Sequence, residues 1–201
     1  MRKSENSGLP LFFNYQEFPV DAGYEFIQDF HLSWIIRCAD DKFKMINSLL
    51  HEYAKRTVFS LINGFNNEVG FIIDKEMSND FRISNIKTKR QWERIDLIAE
   101  LEVEENSLSK KYVLNIENKW YTKISRDQLA IAKMKVERVY GNCEIINLVI
   151  FCDDYIIKNS NQKQLCKNSG YKYLTIEDIK DLTKMKKGEV TNNFLFDEYW
   201  F

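Results

Sequence analysis

The stretch Tyr112-Val113-Leu114-Asn115-Ile116-Glu117-Asn118-Lys119-Trp120 decides how the rest of the chain is read. Side chains alternate along a strand, so Leu114 and Ile116 fall on one face and Asn115, Glu117 and Lys119 on the other. Glu117 and Lys119 therefore project the same way, about 7 Å apart along the strand. A carboxylate there can hold a divalent cation, and the neighbouring ammonium can hold an attacking water or a phosphate oxygen. A merely structural ion pair would not need an apolar run leading up to it.

An upstream partner is present in Arg94-Ile95-Asp96-Leu97-Ile98-Ala99-Glu100-Leu101, a second apolar strand with an acid inside it. The polar turn Glu104-Glu105-Asn106-Ser107 follows, with Lys110 and Lys111 at the re-entry. Two strands joined this way pair antiparallel, which brings Asp96 alongside Glu117. Two carboxylates and a lysine on adjacent strands make a hard-cation site with oxygen ligands. An Asp, then about twenty residues, then Glu-x-Lys resembles the PD-(D/E)XK nuclease superfamily, the restriction-endonuclease-like fold.

Composition bounds the alternatives. A chain of 201 residues suits one domain. It divides into N-terminal helices at about 21–63, a catalytic core at about 65–186 and an aromatic tail. Hydrophobic content of 44% suffices for a core. No run approaches the roughly 20 apolar residues of a membrane span. The first eight residues are polar and lack a signal-peptide core, so a cytoplasmic protein without membrane contact is expected. Cys38, Cys143, Cys152 and Cys166 show no zinc-type spacing and read as buried or incidental thiols. A net charge of -1 means that any nucleic-acid contact must use a local basic face.

Along the chain, Phe26, Phe30, Trp34 and Ile35 recur at helical spacing after Asp21-Ala22-Gly23. A second helix is expected from about Asp41 to Leu61, broken at Asn63-Gly64. Short strand-like pieces follow at 69–73 and 81–86, then the hairpin. Ser125 is a plausible N-cap for a helix carrying Leu129, Ala132, Met134, Val136 and Val139, stopped by Gly141-Asn142. The run 144–152 is the most apolar strand and reads as covered on both faces. A short strand at 170–176 and a helix at 177–186 close the pattern, ahead of the aromatic tail 194–201. That tail reads either as core packing or as a dimer interface.

This order of elements resembles the superfamily core, so the likeness covers most of the chain. It implies an α/β fold with a central mixed β-sheet flanked by helices. Within the superfamily the chain resembles a bacterial branch of nucleases whose first helix carries a Glu, then His-Ser, then Trp and aliphatics. Glu25 stands nine residues before Trp34, while Gln28 and Asp29 replace the His-Ser pair. The resemblance implies that Glu25 is a further acid, with Glu52 its rival. Asp96 matches the motif aspartate, with Ile95 in place of the proline; Glu117 and Lys119 match Glu-x-Lys. Gln128-Leu129 matches a Gln-Leu pair whose amide reaches the site, and Tyr140 stands near a tyrosine of the same helix.

The activity so implied is a metal-dependent nuclease hydrolysing phosphodiester bonds, DNA ahead of RNA, in a setting such as phage defence, restriction or repair. Asp96, Glu117, a carbonyl of Ile116 or Asn118, and Glu25 would hold Mg2+ or Mn2+, and Lys119 would serve the attacking water. Lys123, Arg126, Lys89, Arg90 and Lys133, with Lys87, Lys135 and Arg138 near them, are the cations offered to phosphates; those of the helix read equally as a solvated face. With only His31 and His51, a nucleophilic triad has no basis. Asp40-Asp41 and Asp153-Asp154 read as a helix start and a strand-end turn, and His51 as a packed or surface residue. The alternative to an enzyme is a module that kept the fold and binds DNA or a protein without cleaving.

Overall fold

The structure is a computed structural model, described over residues 24–66, 71–73, 76–120, 122–151, 160–184 and 189–200. Asp153-Asp154, Cys152 and the stretch before residue 24 lie outside the described residues. Helix α1 spans Tyr24–Cys38 and α2 spans Ser48–Asn63. The single long helix expected from Asp41 is interrupted. Asp40 caps a 3-10 turn, Asp41–Phe43, by accepting from the Lys42 amide at 3.2 Å. Asn47 then caps α2, accepting from the Leu50 amide at 3.0 Å. Two side-chain caps within seven residues end one helical segment and start another.

Strands β1 (Gly64–Asn66) and β2 (Phe71–Ile73) form a small antiparallel pair. The main sheet has five strands in the order β3 (Arg82–Trp92), β4 (Ile95–Glu105), β5 (Leu108–Lys119), β6 (Glu144–Phe151), β7 (Lys172–Thr175). The first three are antiparallel neighbours and the last three are parallel. The sheet is therefore mixed, as the α/β pattern implied. The β4–β5 turn is tighter than the polar run suggested: Asn106 and Ser107, at φ 52° and 60°, make the two-residue connection.

Helices cover both faces. On one side α1 and α2 pack Trp34, Ile35, Leu50 and Val58 against Leu97, Leu114, Ile116, Leu148 and Ile150. On the other, α3 (Arg126–Tyr140) packs Leu129, Ala132 and Val136 over Ile98, Val113 and Val149. Residues of β6 thus alternate between two apolar layers, which explains why that strand is apolar throughout. Helix α4 (Ser160–Asn168) has no counterpart in the sequence reading; its buried Cys166 and half-buried Leu165 give little periodic signal. Helix α5 (Ile176–Thr183) starts in a capping box between Thr175 and Asp178. The aromatic tail forms α6 (Phe194–Trp200), which sends Phe196 into the core to stack on Tyr53. Among the described residues no helix is long and apolar enough to cross a membrane.

Candidate active site

The β4–β5 register pairs Leu97 with Ile116. Just beyond this last pair the Asp96 carboxyl comes within hydrogen-bonding reach of the Glu117 side chain. Asp96 accepts the Asn118 main-chain N–H at 2.9 Å and the Gln91 amide at 3.2 Å. Lys119 Nζ lies 2.5 Å from Glu117 Oε1. The Ser125 hydroxyl caps α3 by accepting from the Gln128 amide N–H at 3.1 Å. That cap points the first turn of α3 at the sheet, and Gln128 Nε2 donates to the same Glu117 Oε1. The structure thus brings Asp96, Glu117, Lys119, Asn118 and Gln128 together, and Glu117, Asn118 and Lys119 are all buried.

Both protein donors fall on Oε1 of Glu117. Its other oxygen, Oε2, is buried and has no hydrogen-bond donor, and the Glu117 carboxyl as a whole lies within hydrogen-bonding reach of the Asp96 carboxyl. Two acceptors facing each other need something positive between them, a shared proton or a cation. Burial first, then the Asp96 charge, pushes the Glu117 carboxyl up to about 8, although Lys119 opposes the shift. Burial also raises Asp96, again against Lys119. Among the described residues no group of three or more His, Cys, Asp or Glu is assembled as a metal site. Two hard oxygen donors with an orphaned lone pair nevertheless fit a Mg2+-class cation, which completes its shell with water and substrate.

Among the described side chains of α1, Asp29 is an acid that reaches this cluster. Its side chain is buried, accepts from Gln91 at 3.3 Å and from the Asn118 side chain, and lies 3.8 Å from the Arg90 guanidinium. Burial and the nearby Asp96 charge raise its carboxyl well above the usual range. Glu25 lies one turn earlier on α1, and its side chain falls outside the described residues. Glu52 is engaged elsewhere, 2.9 Å from Arg56 on α2. The sequence signal for Asp29 was present: it follows Glu25 at i+4, on one helix face between Phe26 and Phe30.

Arg90 requires a correction. Offered above as a phosphate contact, it is buried, with its guanidinium carbon 3.4 Å from the Phe30 ring centroid and 4.4 Å from that of Phe26. A β-bulge between Ser84 and Lys87, with Asn85 at φ 55°, changes the parity of β3. Ile83 faces inward before the bulge, Thr88 and Arg90 after it, while Lys87 and Lys89 stay outside. Lys89 is partnered by Glu100 at 2.7 Å and by the Tyr140 hydroxyl at 2.9 Å. Lys123 and Arg126 are exposed beside the entry to α3, as is Arg138 toward its end. Lys133 pairs loosely with Glu137 at 4.0 Å and Lys135 with Glu93 at 3.3 Å. His51 is buried against Asp41 at 3.3 Å, away from the cluster.

A sequence model described as the PD-(D/E)XK nuclease superfamily matches residues 25–195. No curated protein and no solved structure gives a significant match.

Proposed function

The chain belongs to the PD-(D/E)XK nuclease superfamily, and from that premise we propose that it is a metal-dependent nuclease hydrolysing phosphodiester bonds in DNA. One observation carries the reading: Lys119 and Gln128 both serve Glu117 Oε1, which leaves the buried Oε2 without a donor in a carboxyl that lies beside Asp96. Asp96 and Glu117, with the main-chain carbonyl of Ile116 or Asn118, would hold Mg2+ or Mn2+. When bound, such a cation supplies a Lewis acid that stabilises negative charge on the phosphoryl group.

The chain's own groups do the rest. Lys119, nearly buried and fixed by Glu117, orients an attacking water and neutralises charge building on phosphorus. Gln128 holds Glu117 Oε1, which would leave Oε2 to a bound cation. Asn118 holds one oxygen of Asp96 through its main-chain N–H. Lys123 and Arg126, exposed next to this centre, track the backbone of the substrate without reading its bases.

The test is cleavage of linear and supercoiled DNA, with RNA alongside, in Mg2+, in Mn2+ and in EDTA. Lys119→Ala and Asp96→Ala run in parallel. Metal-dependent cleavage of DNA lost in both variants is expected. Cleavage of RNA alone would move the substrate. No cleavage together with no calorimetric Mn2+ signal would replace the nuclease by a non-catalytic binding module.

A further inference from the structure

Four residues from four separate elements close a ring of hydrogen bonds behind the Glu117–Lys119 pair. They are Asp29 on α1, Gln91 on β3, Asp96 on β4 and Asn118 on β5. Gln91 Nε2 donates to Asp29 Oδ2 at 3.3 Å and to Asp96 Oδ1 at 3.2 Å. Asn118 closes the other side, its main-chain N–H on Asp96 Oδ2 at 2.9 Å and its side-chain amide on Asp29 Oδ1. Each of the four carboxylate oxygens receives one donor. A primary amide carries two N–H bonds, so Gln91 can serve both acids at once.

The backbone is bent to make this reach. Gln91 has φ 51°, and Glu93 and Arg94 in the turn that follows have φ 54° and 69°. Residues with a Cβ avoid that region, and none of the three is glycine. Where such a conformation persists beside a buried polar cluster, the surrounding contacts hold it there. Behind the ring, Arg90 is stacked on Phe30 and lies 3.8 Å from Asp29, so the far acid is anchored by a cation that cannot swing away.

We propose that Gln91 is a positioning residue for Asp96: its amide, anchored on Asp29, fixes the Asp96 carboxylate in the orientation from which it converges with Glu117 on a divalent cation. The inference rests on the metal-site reading of Asp96 and Glu117. Asp29 acts through the two amides and not as a ligand. A ring of this kind also separates two buried acids that would otherwise repel each other directly.

The experiment is calorimetric titration of Mn2+ into wild type, Gln91→Ala, Gln91→Asn, Asp29→Asn and the Gln91→Ala/Asp29→Asn double variant, each checked by a thermal melt. Gln91→Ala keeps the Cβ and so the same backbone demand, while Gln91→Asn keeps an amide one methylene too short to bridge. Asn tolerates the left-handed region best of the non-glycine residues, so this variant keeps the test standing if the alanine variant does not fold. Asp29→Asn removes the charge and one of the two acceptor oxygens that the Gln91 and Asn118 amides share, which weakens the anchor. Each single change is expected to weaken Mn2+ binding by about tenfold, the low end for lost outer partners of a metal ligand. The double variant should lose no more than the worse single one, because both act through one connection. Folded Gln91 variants that bind Mn2+ as wild type does, or single losses that multiply in the double variant, would overturn the inference. Wild type that binds no Mn2+ would instead overturn the metal-site reading, and this inference with it.

Discussion

Glu117→Gln isolates the electrostatic cost of the candidate site. In the metal-free fold the Glu117 carboxyl is pushed up to about 8, from an ordinary 4.5. A carboxyl raised on folding binds its proton more tightly in the native than in the unfolded state. Its contribution to stability is therefore complete below about pH 4.5 and is lost as pH rises through about 8. The slope over that window is about 1.4 kcal/mol per pH unit, so by pH 7 the loss is about 2–4 kcal/mol. Gln is a close copy of the protonated acid: its carbonyl can accept from Gln128 and Lys119, and its N–H2 can donate to Asp96. The variant keeps those bonds and loses the titration, and Lys119 retains Asp96 as a negative neighbour. In EDTA, the variant should match wild type near pH 5 and exceed it by about 2–4 kcal/mol at pH 7, or about 5–15 °C in Tm for a domain of this size. Urea denaturation from pH 5 to 9 reads this directly. Added Mn2+ should then stabilise wild type and leave the variant unmoved. Parallel stability curves for the two proteins across pH 5 to 8 would refute the reasoning.

Further outcomes are expected from the same geometry. Lys119→Ala should lower kcat in a cleavage assay by about 10²–10³, the usual loss for one charge-stabilising donor, without abolishing Mn2+ binding in calorimetry. Arg90→Ala should destabilise the fold by about 3–5 kcal/mol, because it strips the buried Asp29 of its cation; Arg90→Lys should not rescue it, since an ammonium cannot stack flat on Phe30. Lys123→Ala and Arg126→Ala should leave stability unchanged and each reduce the salt slope of DNA binding by about 1. Burial holds the His31 imidazole well below its ordinary 6.5; a His depressed on folding loses stability as pH falls below about 6.5, so wild type should weaken there on acidification and His31→Phe should lack that component. This opposes the Glu117 slope in the same range, which is why the difference between wild type and Glu117→Gln carries that test.

How much of this the sequence disclosed depended on whether a signal was local. The β4–β5 hairpin was legible because two apolar runs flank a short polar turn, and their antiparallel pairing brings Asp96 near Glu117. Gln128 was legible because Ser125 marks the start of α3, and a capped first turn fixes where its third residue points. Arg90 misled because Lys87, Lys89 and Arg90 read as one basic run, and the bulge at Asn85 that turns Arg90 inward leaves no mark in composition. Gln91 was invisible for the same reason: its role comes from a positive φ, and a glutamine carries no warning of one. Helix α4 was lost because a mostly polar nine-residue helix with few buried positions has almost no period to detect.

The residues that were missed or misread share a property that says what kind of site this is. Gln91 and Arg90 each serve a buried acid, and Asp29 is one of the acids they serve. Burying Asp29, Asp96 and Glu117 near one another raises all three carboxyls, and only the amides, Arg90 and Lys119 hold that cost down. A sequence motif records the acids that meet the cation. It does not record the donors that make those acids tolerable, because these come from β3, β5 and α3, and one of them, Asn118, serves an acid 89 residues away along the chain. Once the Glu-x-Lys strand is recognised, the question to put to such a sequence is which distant amides and cations neutralise its acids. Here the answer runs through the bend at the end of β3.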